Sequence, residues 1–590
     1  MKRKRLIPAI AAGAAFVMVL SACGGSSDDG NSDGNGGDNT TPAFNAGVGK
    51  VFNKSDAKGG IIKMADNGEP DSLDPADTYY GYMWDFARLY GRSLVMFKPA
   101  PGKASEELVP DLAEDLGEAS DEGKTWTYKI RKGIKYEDGT EVKAADVKYG
   151  VLRTLDREAF PNGPEYFKQF LNLPEGYLGP YKSKGVDTSS AIETPDDYTV
   201  VFHLKTAFAG FNYLAMLPQT FPVPEAKDTG VNYRDHVISS GPYKFDKVEQ
   251  GKQFTLVRND QWDPKTDKNR PALPDGFEVT LNLAQTEIDN QLMSGDLQVH
   301  ITGTGIGSAA QSQVLADETS KESADNPSIA RLWYTSINSN VAPFDNKDCR
   351  IAIEYATDRT SYQRAMGGEI AGGDIATNLL PPAIPGYKKF DLYPAGPDNK
   401  GDIEKAKDHL KKCGKPDGFE MNIAYRNERD AEKAVAESLQ QSLERVGIKL
   451  TLKGYAQGDY FSQFVGLPSF AKSNGLGLVV NGWGADWNDG FGYLSQIVDS
   501  RVIRETGGSS NVSVRDPKVD QMLDDAIAEL DNGKREKLWS DIDRQVMDDA
   551  FILPGVVAKV LLYRGQGLTN VYVNDQFGYY DYVSLGLEQK

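Results

Sequence analysis

The sequence predicts an α/β chain divided into more than one lobe, and three observations carry that expectation. Short alternating runs such as Trp126-Thr127-Tyr128-Lys129-Ile130 recur between longer runs of helical period such as Arg429 to Val446. Behind an N-terminal tag and a polar tether stand about 530 residues, well beyond the ~250 to 300 at which one hydrophobic core stops growing. No segment repeats another, and 39% apolar residues with 10% aromatics suffice to fill several cores.

The chain opens on Lys2 to Arg5, a positive stretch, followed by an apolar run from Leu6 to Val19 and then Leu20-Ser21-Ala22-Cys23. A basic start, a short apolar stretch and small residues before a break form a secretory signal. The run is shorter than the ~20 residues a spanning helix needs and ends at Cys23-Gly24-Gly25, which argues against an uncleaved membrane helix. The Leu-Ser-Ala-Cys order resembles a bacterial lipobox, so residues 1–22 are expected to be removed and Cys23 to carry lipid. Residues 23–59, rich in Gly, Ser, Asp and Asn, hold little that can be buried and are expected to be a flexible tether with a reach of about 30 to 35 Å.

The elements then follow in order. Ile61 to Ala65 reads as a strand, Ser72 to Pro75 as a turn, and Met83 to Leu94 as an aromatic-rich helix. After the Trp126 strand come a turn at Glu137-Asp138-Gly139 and a helix from about Ala144 with Ala145, Val147, Val151, Leu152 and Leu155 on its apolar face. Tyr198 to Leu204, Gly241 to Phe245 and Phe254 to Val257 read as strands, and the glycine-rich Gly303 to Gly307 as a turn. Helices are expected over Cys349 to Asp358, Ile403 to Lys412, Arg429 to Val446 with Gly447 as its stop, Asp516 to about Leu530, and Gly533 to Met547. Ile448 to Lys453 and Gly477 to Val480 complete the strands, the second apolar enough to be buried.

The formal charge of −19 becomes −23 once the signal, with four basic and no acidic residues, is removed. Such a balance argues against nucleic acid and anionic lipid as partners. With Cys23 assigned to lipid, Cys349 and Cys413 remain as an even pair in an oxidising compartment, either a disulfide or two buried thiols. The histidines His203, His236, His300 and His409 are scattered, and neither a Gly-x-Ser-x-Gly elbow nor a Walker loop is present, so no metal or cofactor is expected and no enzyme. Asp486 and Asp489 form a tempting carboxylate pair, but a chain with 85 acidic residues offers many such pairs by chance.

Around residues 111 to 155, Leu112-Ala113, Trp126, Arg131, Asp138-Gly139 and Ala145-Asp146-Val147 stand in an order that resembles the family 5 extracytoplasmic solute-binding proteins, the oligopeptide- and dipeptide-binding subunits of ABC importers. Leu73-Asp74-Pro75, Gly241-Pro242-Tyr243, Arg258-Asn259, Ser294-Gly295-Asp296, Pro343-Phe344-Asp345, Gly447-Ile448 and Gly482-Trp483-Gly484-Ala485-Asp486 extend the resemblance over nearly all of 60–590. It implies a periplasmic-binding-protein-like fold (class II, cluster C) with hinge closure. Lobe I would comprise 60–91, 225–331 and 557–590, an inserted lobe II 92–224, and lobe III 332–556, with ligand enclosed between lobes I and III.

The resemblance also implies a site. Asp486 would pair with a peptide α-ammonium, and main-chain groups of Gly482, Trp483 and Gly484 would pair with the peptide backbone. Tyr79 and Gly81 would line the cleft from lobe I, Tyr166 would be a wall from lobe II, and Trp483 and Trp487 would be either cleft walls or core. Two departures bear on peptide length: Trp487-Asn488-Asp489-Gly490 replaces the usual Tyr-x-Asp-Pro or Tyr-x-Glu-Pro, and Val480 stands where one relative uses an Arg toward the peptide carboxylate. The implied protein is a monomeric, lipid-anchored receptor on the outer face of a bacterial membrane. It would deliver short peptides to an ABC permease heterodimer with its ATPases, touching the membrane through the Cys23 lipid only. A non-peptide solute (an oligosaccharide, an opine-like compound, haem or a nickel chelate), a peptide-sensing role without import, and a secreted hydrolase are the rival readings.

Overall fold

The structure, a computed structural model, describes residues 42–529 and 531–589. The signal segment and Cys23 lie outside the described residues. Three sheets organise the chain. A five-stranded sheet has the order Val299–His300, Ile61–Ala65, Gly276–Thr280, Gln253–Arg258, Tyr243–Glu249, with Ile61–Ala65 parallel to both of its neighbours. A four-stranded antiparallel sheet runs Glu118–Ser120, Thr125–Lys129, Thr199–His203, Ile192–Asp196. A six-stranded mixed sheet runs Gly373–Ile375, Ile552–Lys559, Ser328–Ile337, Leu476–Gly484, Glu420–Arg426, Lys449–Tyr455. The boundaries expected at 331/332 and 556/557 fall inside two of its strands, Ser328–Ile337 and Ile552–Lys559, which pair with each other.

Local sequence explains most elements. The parallel strands Glu420–Arg426 and Lys449–Tyr455 are joined by helix Asp430–Glu444, which buries Val435, Ala436, Leu439 and Leu443 along one stripe. Its stop, Gly447, has φ +83°, and a Cβ there would sit 2.5 Å from the carbonyl oxygen of Asp417, so only glycine turns the chain at that point. The sheets share their cores. One apolar cluster runs from Ile62 and Phe277 of the five-stranded sheet to Leu439, Ile448 and Leu478, and a second joins Trp126 and Phe202 of the four-stranded sheet to Trp487, Trp539 and Ile542.

Four expectations are corrected. The helix expected over Met83 to Leu94 is Gly81–Ala87 only. All six residues Tyr82 to Ala87 are buried, so no polar face marks where the helix stops, and Val95–Phe97 is taken into a pairing with Leu108–Pro110. In helix Ala144–Arg153, Ala145 is exposed, and the buried face carries Gly150 and Arg153. The guanidinium of Arg153 is buried because Asp74 accepts two hydrogen bonds from it at 2.9 Å and Asp228 two more at 3.1 Å. The apolar strand expected over Gly477 to Val480 extends over Leu476–Gly484. The tether expected to reach residue 59 is docked from the mid-forties onward: Phe52 and Val571 exchange backbone hydrogen bonds at 2.7 and 3.0 Å, Gly47 donates to Asp325 at 2.9 Å, and Ala46 is buried.

Helices Lys347–Ala356 and Ile403–Lys412 pack together, and the sulfurs of Cys349 and Cys413 lie 2.18 Å apart with Cα atoms 5.4 Å apart. Such a bond closes a loop spanning 64 residues, which by loop entropy is worth at most about 4 kcal/mol. Cys349→Ser is expected to lower unfolding free energy by about 2 to 4 kcal/mol in urea. A midpoint unaffected by both the substitution and reductant would contradict a formed bond.

Candidate functional site

The strand pair Ser328–Ile337 and Leu476–Gly484 forms the floor of the site. Arg331 lies opposite Gly484, Leu332 opposite Trp483 and Trp333 opposite Gly482. Side chains two apart share a face, and on this face the bulk of Arg331 and Trp333 is matched by two glycines. A Cβ at 482 would meet the Trp333 ring at 2.3 Å, and one at 484 would lie 3.2 Å from Arg331 Nη2. On the other edge Leu476–Gly484 pairs with Glu420–Arg426 only as far as Val479. Among the described residues, Gly482 to Gly484 therefore have no strand partner on that side. The Gly482 N–H, which points there, is taken by the Asn481 side chain at 3.0 Å, whereas the Ala485 N–H donates to Ala330 on the paired side at 3.3 Å. By alternation, Gly484 presents its N–H and C=O to the open edge.

Beyond this strand sits Asp486, 8% exposed. Its Oδ2 accepts hydrogen bonds from Tyr79 at 2.8 Å and from Tyr166 at 2.5 Å, and Gln576 donates to its carbonyl oxygen at 3.2 Å. Both phenols converge on one oxygen, which leaves Oδ1 for a further donor. Burial pushes the Asp486 carboxyl up to about 7 against the two phenolic hydrogen bonds. Burial and the adjacent carboxylate raise both phenols well above their usual range, so they remain donors.

Asp486 opens onto a cavity of about 1320 Å³ including its mouth. Tyr79, Gly81, Gly482, Trp483 and Gly484 line it. Trp483 meets Tyr79 edge-on at 5.7 Å, Tyr79 stacks on Trp84 at 5.5 Å, and the buried Trp483 Nε1 has no partner among the described residues. The remaining predicted residues are placed differently. Tyr166 is fully buried and acts on Asp486 through its hydroxyl, not as a wall. Trp487, expected as cleft wall or core, is 1% exposed and stacks on Tyr213 at 5.3 Å. Asp489 caps helix Gly490–Val498 by accepting the Phe491 N–H at 2.7 Å, which explains its presence without chemistry.

Several cavity residues carried no sequence signal. Asp71 accepts backbone N–H bonds from Ser72, Tyr79 and Tyr80 and a hydroxyl bond from Thr78, and so shapes the loop that presents Tyr79. Burial raises its carboxyl to about 7. The Gly303–Gly307 segment, read as a turn, contributes Gly303 and Thr304 to the lining. Neutral His300 fixes it: burial pushes its imidazole down to about 4, and its ring nitrogens lie 3.2 Å from Gly305 O and 2.9 Å from Thr302 Oγ1. Arg331, Arg426 and Arg429 bring positive charge to the same cavity. Arg426 and Arg429 are committed to Glu432, and Arg429 Nε also donates to Gln457 at 2.7 Å. Among the described residues no group of His, Cys, Asp and Glu side chains has the makings of a metal site.

Two outcomes follow from this geometry. Gly482→Ala should force Trp333 out of place and lower stability by about 1 to 3 kcal/mol, the usual cost of overpacking, in denaturant titration. Because Asp486 ionises with more difficulty folded than unfolded, its contribution is lost as pH rises from about 4 through about 7. Asp486→Asn should therefore raise the stability of ligand-free protein at pH 8, by of the order of 2 to 4 kcal/mol, and leave it unchanged near pH 3.5. Equal effects at both pH values would contradict the buried carboxylate.

Comparison with known proteins places this cavity in context. Residues 107–504 match the bacterial extracellular solute-binding proteins, family 5 Middle. The chain is 27% identical over 474 residues to the glutathione-binding protein GsiB of Escherichia coli O6:K15:H31, covering 78% of this chain and 83% of that protein. The solved structure of clavulanic acid biosynthesis oligopeptide binding protein 2 superposes with a TM-score of 0.84 at 39% identity, covering 93% of this chain and 99% of that one. The Helicobacter pylori periplasmic binding protein DppA in complex with the peptide STSA superposes with a TM-score of 0.73 at 20% identity, over 90% and 99% of the two chains, a likeness of fold. The mixed sheets, the cavity and the match across two thirds of the chain lead to one assignment: this chain belongs to the family 5 bacterial extracellular solute-binding proteins.

Proposed function

We propose that this protein is the receptor of an ABC importer, anchored through lipid on Cys23 to the outer face of a bacterial membrane, and that it captures short peptides and hands them to the permease. The observation that carries the peptide reading is the enclosed Asp486 carboxylate with one oxygen free toward the cavity. An α-ammonium supplies the countercharge that a desolvated carboxylate lacks. The open edge supplies the main-chain N–H and C=O of Gly484 and the C=O of Gly482 for a peptide backbone, a mode that reads no side chain, while the Trp483 main chain faces the paired strand. Relatives whose names specify glutathione, a tripeptide, and oligopeptides support this reading. Hinged closure of the lobes would desolvate the ligand and present both lobes to the permease.

Asp486→Ala is expected to weaken binding of free peptides by about 2 to 5 kcal/mol in calorimetry, and N-acetylation of the peptide should cost a comparable amount. Unchanged affinity in either case removes Asp486 from the site. Since the ammonium selects the ionised carboxylate, binding at pH 6 should release close to one proton, and affinity should fall about fivefold between pH 7 and pH 6. Heats independent of the buffer's ionisation enthalpy at pH 6 would contradict the linkage.

A further inference from the structure

Resting on the peptide reading, we propose that Asp575 and Gln576 form a subsite for a cationic side chain on the first or second residue of the ligand, so that the protein favours peptides that are basic near their N-terminus. The subsite is the tip of a hairpin. Strands Val573–Asn574 and Tyr579–Tyr580 pair with each other, and residues 575–578 between them reach the cavity wall. The buried Asn574 sets the shape of the tip: its Oδ1 accepts the N–H groups of Gln576 and Phe577 at 3.1 and 3.3 Å, and its Nδ2 donates to Asp581 at 2.7 Å. Gly578, at φ +81°, donates its N–H to the Asn574 carbonyl at 2.7 Å. The wall is therefore fixed before any ligand arrives.

Acceptors are in excess at this tip. Gln576 is 9% exposed, and its Nε2 donates to the carbonyl oxygens of Ala485 and Asp486 at 3.3 and 3.2 Å. Those two bonds decide which amide atom is the nitrogen, and the buried Oε1 is left without a partner among the described residues. The adjacent Asp575 carboxylate joins no ion pair and accepts no hydrogen bond among the described residues; burial raises it, and no cation counters the shift. Glu106 lies close by, half-buried, raised by burial and by the Asp575 charge, with the exposed Lys103 as the cation acting on it. Its Oε1 takes the Asn488 Nδ2 at 2.6 Å, and Asn488 Oδ1 is a further buried acceptor without a partner among the described residues. The arginines of the cavity do not relieve this excess: the charges acting on Arg331 are those of Arg426, Arg429 and two phenols. Orphan acceptors beside a carboxylate fit a group that only donates and carries positive charge, which an ammonium or a guanidinium does. Its place along the ligand follows from Gln576, whose amide is bonded to the main chain of Asp486, the residue that receives the α-ammonium on the peptide reading. The side chain within reach is that of the first or second residue.

The test is retention from an equimolar library of alanine tripeptides in which one position at a time is lysine, norleucine or glutamate, each also present as its N-acetyl form, quantified by mass spectrometry after release from the protein. Norleucine keeps the stem of lysine without the charge. Wild-type protein is expected to retain lysine over norleucine by about tenfold or more at the first or second position, with glutamate weakest. Asp575→Asn removes the charge from a side chain that bonds nothing else in the fold, and should bring lysine and norleucine level while acetylated members are still rejected; Asp575→Ser serves if that variant does not fold. Lysine and norleucine retained equally by wild type, with acetylated members rejected, overturns the subsite and leaves the peptide reading standing. A lysine preference that survives the substitution, or one confined to the third position, overturns the assignment to Asp575 and Gln576. Retention of no library member overturns both readings.

Discussion

A carboxylate taken out of water must be compensated, and the placement of Asp486 beneath Tyr79 and Tyr166 makes that requirement the organising constraint of the molecule. The three residues come from segments far apart in sequence, with separations of 407 and 320 residues from Asp486, and they meet only if the four-stranded and six-stranded sheets and the loop after Ile61–Ala65 are all in place. Two neutral phenols supply enough hydrogen bonding to keep the group buried but no countercharge. On the proposed peptide reading, the ligand's ammonium is what completes the electrostatics of this site.

Buried ion pairs give the surrounding framework its register. Arg153 binds Asp74 and Asp228 across the junction of three segments, and Arg92 and Arg270 share Asp111, with Asp267 also bonded to Arg270. Such clusters add little net stability, since desolvation offsets most of the Coulomb gain, but losing one member leaves a stranded charge. Their effect is to fix how distant segments meet. Leu73-Asp74-Pro75 and Gly482 to Asp486, which look like unrelated landmarks in the sequence, become parts of one frame: the first holds Arg153, and the second supplies the floor and the carboxylate.

Much of this was legible in the residues. Strands with clean alternation, such as Thr125–Lys129, and the helix Ile403–Lys412 with its Asp402 cap sit where periodicity places them, because each buries a single face. The Gly81–Ala87 segment, buried on every side, carries no such signal, so periodicity overextends it; strand Leu476–Gly484 is longer than its apolar run because it continues through the half-buried Gly482 to Gly484. Glycine is ambiguous in the same way. Gly482 and Gly484 could mark a loop or a close approach, and only the cross-strand partners Trp333 and Arg331 decide between them. Arg331 and Asp71 were invisible because one charged residue among many says nothing until the fold shows which lacks a partner and which lies in a cavity. Trp487, three positions past Gly484, points into the shared core instead, held by Tyr213 and Tyr166.

The central claim is that the cavity at Asp486 encloses a short peptide by its α-ammonium and backbone. The most direct measurement is the mass spectrum of whatever accompanies the purified chain, expressed with Cys23 replaced by Ser and released by acid denaturation. The account predicts a mixture of short peptides of varied sequence with free N-termini. A single sugar, chelate or other compound without an ammonium group would contradict it, and would return Asp486 to a structural role beneath two tyrosines.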